Sequence, residues 1–381
     1  MKKMLSLAAV FAVLSYASPA SAELKLGGDA TIRVRGQFND TEVKGVHTDD
    51  EDDLMVQYRI RLKASADLGS GYLFKALIQN EAVPAGYNTV SSGNSERYEL
   101  DVSNFYFGRM MEDSHYLMGR LPLNSFNNPI FDIALYPIPV GNYTAVDIPV
   151  ATYNFDRVFG FNYGRKIGPG ELNGTLVVFD NFNGDDADKY DGLEGNGLLN
   201  DGYALHLSYK TNFGDITFEP QAIVALTDMS GLAYQNVAPI TFGANLGFPV
   251  GKGKIGMSGF YTTCEDSKGA TGLRVDPVTG VASFTPASVD YSGYLLRLKG
   301  EYGPAMAWID YNRTKDKSND GSTQYDNLFV WAQYNLKVYE SSTGTFSITP
   351  TLRYRASGSD NGVSESDFSQ LRTELYATVT F

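Results

Sequence analysis

Leu54–Asp67 reads LMVQYRIRLKASAD. On an extended chain Leu54, Val56, Tyr58, Ile60 and Leu62 fall on one side and Gln57, Arg59, Arg61 and Lys63 on the other, the period-two alternation of a β-strand. The apolar side needs a nonaqueous neighbour and the cationic side needs water. Ala30–Phe38 (ATIRVRGQF) repeats the pattern, with Ala30, Ile32, Val34 and Phe38 opposed to Thr31, Arg33, Arg35 and Gln37. So does the terminal stretch Ser369–Phe381 (SQLRTELYATVTF), where Leu371, Leu375, Val379 and Phe381 oppose Gln370, Arg372, Glu374 and Tyr376. Between such runs, short connections such as Leu68–Gly71, Lys166–Gly170, Asn212–Asp215 and Gly303-Pro304 alternate with long ones such as Asn39–Asp53 and Asn181–Asp201. The spacing gives about 16 strands, with 14 and 18 also compatible. A sandwich or propeller has no reason to put every long loop on one side or to charge the reverse face. The pattern therefore predicts an all-β fold, a transmembrane antiparallel up-and-down β-barrel with lipid outside and water inside.

The ends of the chain fit export. Lys2 and Lys3 precede the apolar run Met4–Leu14, and Ala20-Ser21-Ala22 suits cleavage, so residues 1–22 read as a signal peptide and 23–381 as a single barrel domain. Loss of two lysines takes the formal charge from −13 to −15. The mean hydropathy of −0.22 hides the membrane character, since half of every strand is polar. No later run reaches the ~18–20 apolar residues of a membrane helix. Cys264 is the only cysteine, so no intramolecular disulfide forms. Nothing in the residues calls for a cofactor or for nucleic acid.

One connection differs in kind. Leu121–Val150 (LPLNSFNNPIFDIALYPIPVGNYTAVDIPV) holds five prolines, many large apolar residues and only two charges, Asp132 and Asp147. Disordered segments are polar and charged, and a loop this long in a compact domain is usually functional. It is expected to fold into the bore as a constriction loop over residues 121–150.

The acidity lies in loops, in Asp40, Glu42 and Asp49–Asp53 and again in Asp185, Asp186, Asp188, Asp191, Glu194 and Asp201. A solvated rim is the preferred reading, with divalent-cation bridging to lipopolysaccharide or between loops as the alternative. Asp180–Asp185 lacks the spacing of a calcium loop, so no metal site is claimed. The inward faces are basic. Arg33 and Arg35 are expected level with Arg59 and Arg61, with Lys63 below, and closure of the barrel brings Arg372 alongside. Like charges in a dry interior repel, so this strip implies a water-filled channel with mild anion preference.

With these features the mature chain resembles the 16-stranded general diffusion porins of Gram-negative outer membranes. The resemblance rests on the signal peptide, the turn Leu68-Gly69-Ser70-Gly71-Tyr72, Gly119-Arg120 ending the fifth strand, the inserted third loop and terminal Phe381. It implies passive diffusion of small hydrophilic solutes and ions, periplasmic termini, extracellular long loops, and contact with outer-membrane lipid and lipopolysaccharide. It also implies recognition of Phe381 by the barrel-assembly machinery, and a homotrimer with Asn80–Arg97 latching onto a neighbour. Asp132 and Asp147 become constriction acids facing Arg33, Arg35, Arg59 and Arg61, with Lys63, Arg120 and Arg372 in the same set. The P-E-F-G-G-D stretch frequent in that family is absent from this loop, which leaves open which acid stands at the narrowest point.

Three other functions compete with this reading. His206-Leu207-Ser208 has the His–Ser spacing of outer-membrane phospholipases, but parity turns both inward, away from lipid, and no enzymatic activity is expected. His47 and His115 sit in a loop and at a turn without triad partners. A sheath around an electron-transfer cytochrome conflicts with a filled bore. A substrate-specific channel for anions, phosphorylated solutes or sugars stays open.

Overall fold

The structure, a computed structural model, describes residues 23–80, 87–90, 100–123, 127–133, 157–180, 202–228, 234–266, 269–275, 282–318 and 321–381. The expected leader, Asp147 and the acidic stretch 181–201 lie outside the described residues.

Sixteen strands form one antiparallel ring. In chain order they are β1 (Glu23–Val43), β2 (Val46–Gly69), β3 (Tyr72–Gln79), β4 (Asp101–Met110), β5 (Ser114–Pro122), β6 (Arg157–Ile167), β7 (Gly170–Asp180) and β8 (Gly202–Phe213). There follow β9 (Ile216–Ala225), β10 (Ile240–Val250), β11 (Gly253–Asp266), β12 (Val289–Tyr302), β13 (Ala305–Asp316), β14 (Thr323–Tyr334, continued by Leu336–Glu340), β15 (Thr345–Asp360) and β16 (Glu365–Thr380). Each pairs with its sequence neighbour, and β16 returns to β1 from Asp29↔Thr380 to Val43↔Ser366. Tyr234–Gln235, Thr271–Val275 and Ala282–Pro286 make a separate three-stranded sheet.

Parity divides the wall as the sequence demands. Ile32, Val34, Leu54, Val56, Phe105, Phe107, Phe159, Phe161, Leu296, Leu298, Leu375 and Val379 are exposed on the outer face. A continuous apolar belt of this kind belongs in lipid rather than water. Because lipid offers no hydrogen-bond partner, closing the ring is what satisfies the backbone of β1 and β16.

The alternation of short and long connections is only partly kept. Residues 39–53, expected as a loop, are strand almost throughout, and β1 turns into β2 over Lys44-Gly45, both at positive φ (52° and 73°). Such two-residue turns match the twist of the flanking strands. β15 likewise runs to Asp360 and β16 starts at Glu365. Beyond the membrane both faces meet water, so a strand can continue there without an apolar side.

The seam closes on its last residue. Gly28 N–H donates to Phe381 O at 2.8 Å, and Phe381 N–H donates back to Gly28 O at 3.0 Å. A Cβ on Gly28 would lie 2.3 Å from Arg61 O and 3.0 Å from the Phe381 ring. Gly28→Val is expected to cost about 1–3 kcal/mol through overpacking and to lower the temperature at which the folded band shifts on SDS gels. Gly300→Ala, where a Cβ meets open space, should leave that temperature unchanged.

Candidate functional site: a basic wall and a docked loop

Cross-strand register assembles the basic wall from residues far apart in sequence. Arg33 stands opposite Gln57 on β2 and Tyr376 on β16, Arg35 opposite Glu374, and Gln37 opposite Arg372. Arg372 in turn faces Arg353 on β15. Closure therefore does bring Arg372 beside the first strand, where its Nε donates to Gln37 Oε1 at 2.8 Å.

At the centre of the wall is an acid that the site prediction did not include. The Glu374 side chain has no exposed surface. Its Oε1 lies 2.6 Å from Arg35 Nε and 3.4 Å from Arg33 Nη1, and its Oε2 lies 2.8 Å from Arg353 Nε. The Tyr376 hydroxyl donates to Oε2 at 2.7 Å and itself accepts from Arg33 and Arg353. Glu374 shares its inward face with Arg372 and Tyr376, so parity alone could have nominated it. The strip is thus a cluster bound to a buried carboxylate, where the sequence suggested like charges separated only by water. Arg33, Arg35 and Arg353 around one carboxylate still leave it net positive.

Aromatic rings complete the support. Tyr87, beside the short pairing of Asn88–Thr89 with β2, places its ring 3.9 Å from the Arg33 guanidinium and 4.4 Å from that of Arg59. Arg353 lies 3.8 Å over Trp331, which stacks on Trp308 at 4.7 Å. The ring quadrupole attracts a guanidinium, so each ring orients one cation. Residues 87–90 therefore engage this chain's own wall; 81–86 and 91–97, the rest of the expected latch Asn80–Arg97, lie outside the described residues.

Other predicted cations are displaced. Arg59 and Arg61 stand opposite Thr31 and Asp29 rather than level with Arg33 and Arg35, because the Lys44-Gly45 turn and a bulge at Thr41/Glu42 set the register. Asp29 holds both lower cations, with Arg61 Nε at 2.8 Å and Lys63 Nζ at 3.5 Å. Arg120 leaves the bore entirely. It faces Phe105 and Phe159, whose outward rings are 6.0 Å apart. The inner side of β5 is taken by Leu117 and Leu121, which pack under the inserted loop.

That loop docks on the opposite wall. Its described part, 127–133, includes a single helical turn, α1 (Ile130–Ile133), in contact with β10, β11 and β12. Ile130 and Phe131 are 0% and 3% exposed, buried among Leu121, Val158, Val177, Ala204, Ile223, Phe260 and Leu295 on the inner faces. Polar bonds fix the turn before α1. Asn128 exchanges hydrogen bonds with Gln221 at 2.8 and 3.1 Å, and Lys299 Nζ donates to Asn127 Oδ1 at 2.7 Å. Asp132 falls within α1, and its side chain lies outside the described set. His206 and Ser208 face inward as expected, His206 bonding to Gln221 at 2.9 Å with the Phe131 ring 5.1 Å away.

A closed ring with a loop docked inside and a charged inner wall invites comparison with known proteins. The family described as Gram-negative porin matches residues 6–338. The chain belongs to that family. It is an integral outer-membrane channel protein. Among solved structures, this porin is similar to the outer-membrane channel DcaP of Acinetobacter baumannii, at 15% identity and a TM-score of 0.54, covering 96% of this chain and 99% of that one. It is also similar to an anion-selective porin from Comamonas acidovorans, at 12% identity and 0.51, covering 94% and 100%. The outer-membrane protein OmpT of Vibrio cholerae matches at 10% identity and 0.50, covering 96% and 99%. At such identities the likeness is one of fold. No curated protein matches the chain.

Removing the central acid tests the wall directly. Glu374→Gln strands Arg33, Arg35 and Arg353 without their carboxylate, and breaking a buried pair costs about 3–5 kcal/mol. The expected result is a lower urea midpoint in detergent together with a reversal potential shifted toward anions.

Proposed function

We propose that this porin passes small hydrophilic solutes by passive diffusion, with a mild preference for anions set by the Arg33–Arg35–Arg353–Arg372 wall. The observation that carries the reading is the excess of guanidinium over carboxylate around Glu374 on the inner face. Clusters of one sign along a pore lining set ion preference. The acidic hairpin above opposes it in part, which keeps the preference mild. Asp132 and Asp147 are the counter-charges on the inserted loop, Arg59, Arg61 and Lys63 extend the positive lining downward, and Arg120, on the outer face, takes no part. Residues 1–22 direct export, Phe381 is read during assembly, and three barrels associate in lipid and lipopolysaccharide. Catalysis is no part of this function: His206 serves to seat the loop through Gln221 and Phe131.

In a planar bilayer under a tenfold KCl gradient, the reversal potential should indicate anion preference, and Arg33→Gln with Arg35→Gln and Arg353→Gln should move it toward zero or beyond. Clear cation selectivity in the unaltered protein, indifferent to these changes, would falsify the reading. Phe131→Ala removes about 3 kcal/mol of docking, so open-channel current noise should rise while ion preference stays the same. Conductance steps in threes would accord with a trimer.

A further inference from the structure

The outward face of the β1–β2 hairpin carries a side-chain cluster that the pore does not use. Register puts His47 directly opposite Glu42, and Glu42 directly opposite Asp367 on β16. Carboxylates facing one another across strands destabilise the pair. Asp326 nearby is neutralised by Arg313 at 2.6 Å, but among the described residues no lysine or arginine pairs with Asp40, Glu42 or Asp367. Asp40 and Glu42 instead meet one imidazole, that of His47.

The imidazole is held in a particular way. Asp40 Oδ1 lies 2.9 Å from His47 Nδ1, and Glu42 Oε1 lies 3.3 Å from Nε2. The donor atoms of the three side chains fall within 4.8 Å of one another. Zinc bonds of about 2.0 Å to nitrogen and oxygen in a tetrahedron set neighbouring ligands roughly 3.3 Å apart, which is the Nε2–Oε1 separation observed. A carboxylate on the far ring nitrogen fixes tautomer and orientation in histidine–zinc sites, the position Asp40 holds. A cavity of about 420 Å³ opens beside Asp40 and Glu42, with Asp367 also in its lining, giving room for further ligands.

We propose that His47 Nε2 and Glu42, with Asp367 alongside and Asp40 orienting the ring, form a site for a divalent cation of the Zn²⁺ class on the outer face of the extracellular rim. Calcium and magnesium favour oxygen ligands and do not need the imidazole. Since Glu42 and His47 come from β1 and β2, the ion ties the two strands of the hairpin together at its upper end, with Asp367 of β16 facing Glu42 across the seam.

The test uses the folded full-length protein without a polyhistidine tag. Co²⁺ titration should give the absorption of a tetrahedral site at one equivalent per chain, displaced by Zn²⁺, and Zn²⁺ should raise the temperature of the SDS gel shift. His47→Ala and Glu42→Gln should abolish both effects, Asp40→Asn should weaken binding about 10–100-fold, and Asp52→Asn should change nothing. Each variant's folding is checked by its heat-modifiable mobility. Uptake unchanged in His47→Ala, or Ca²⁺ competing as well as Zn²⁺, would mean only a diffuse cation atmosphere and would overturn the proposal.

Discussion

Every strand here must hydrogen-bond both neighbours, because hydrocarbon offers no substitute partner. That single requirement forces the last strand back onto the first, and much else follows. The pairing of β1 with β16 sets Arg35 against Glu374 and Arg33 against Tyr376, so the polar centre of the lumen exists only once the ring has closed. The mutual Gly28 and Phe381 bonds finish the seam at the other end. Residues more than 300 positions apart in sequence meet as ladder neighbours, and local propensity contributes little to that outcome.

Inside the ring two problems have different solutions. Cations that would repel are gathered on Glu374 and backed by Tyr87, Tyr376 and Trp331, so each guanidinium is fixed by a carboxylate, an amide or a ring face. The inserted loop is held chiefly by apolar contact, with Ile130 and Phe131 buried in a patch that seven strands of the other wall supply. A lumen-facing apolar patch would be a poor lining for a water-filled pore. Here the loop covers it.

The fold was legible because barrel alternation states both faces of each strand at once, as in Leu54–Leu62. The docking of residues 127–133 was legible because the prolines and apolar residues around them fit neither a solvated loop nor a strand. Register was not. Lys44-Gly45 is the turn that sets it, but the turn sits in an acidic run that reads as loop, since strands standing in water need no apolar side. Without that anchor Arg59 and Arg61 were placed too high, and Asp29 and Glu374, polar residues on a polar face, had no visible role. Arg120 enters the set with Gly119 at the end of the fifth strand, where alternation with inward Leu121 turns it outward. Tyr87 depends on an excursion that no periodicity announces.

The docking of the loop has a consequence for how such a pore diversifies. Ile130 and Phe131 rest on one wall, and the arginine cluster is built on another from different strands. The apolar seat of the loop and the arginine cluster are thus inherited on separate sets of residues. Substitution beneath the loop can widen or narrow the passage without altering which ions it prefers, and exchange of arginines can change preference without disturbing the bore. A lineage is free to adjust the two independently, one small step at a time.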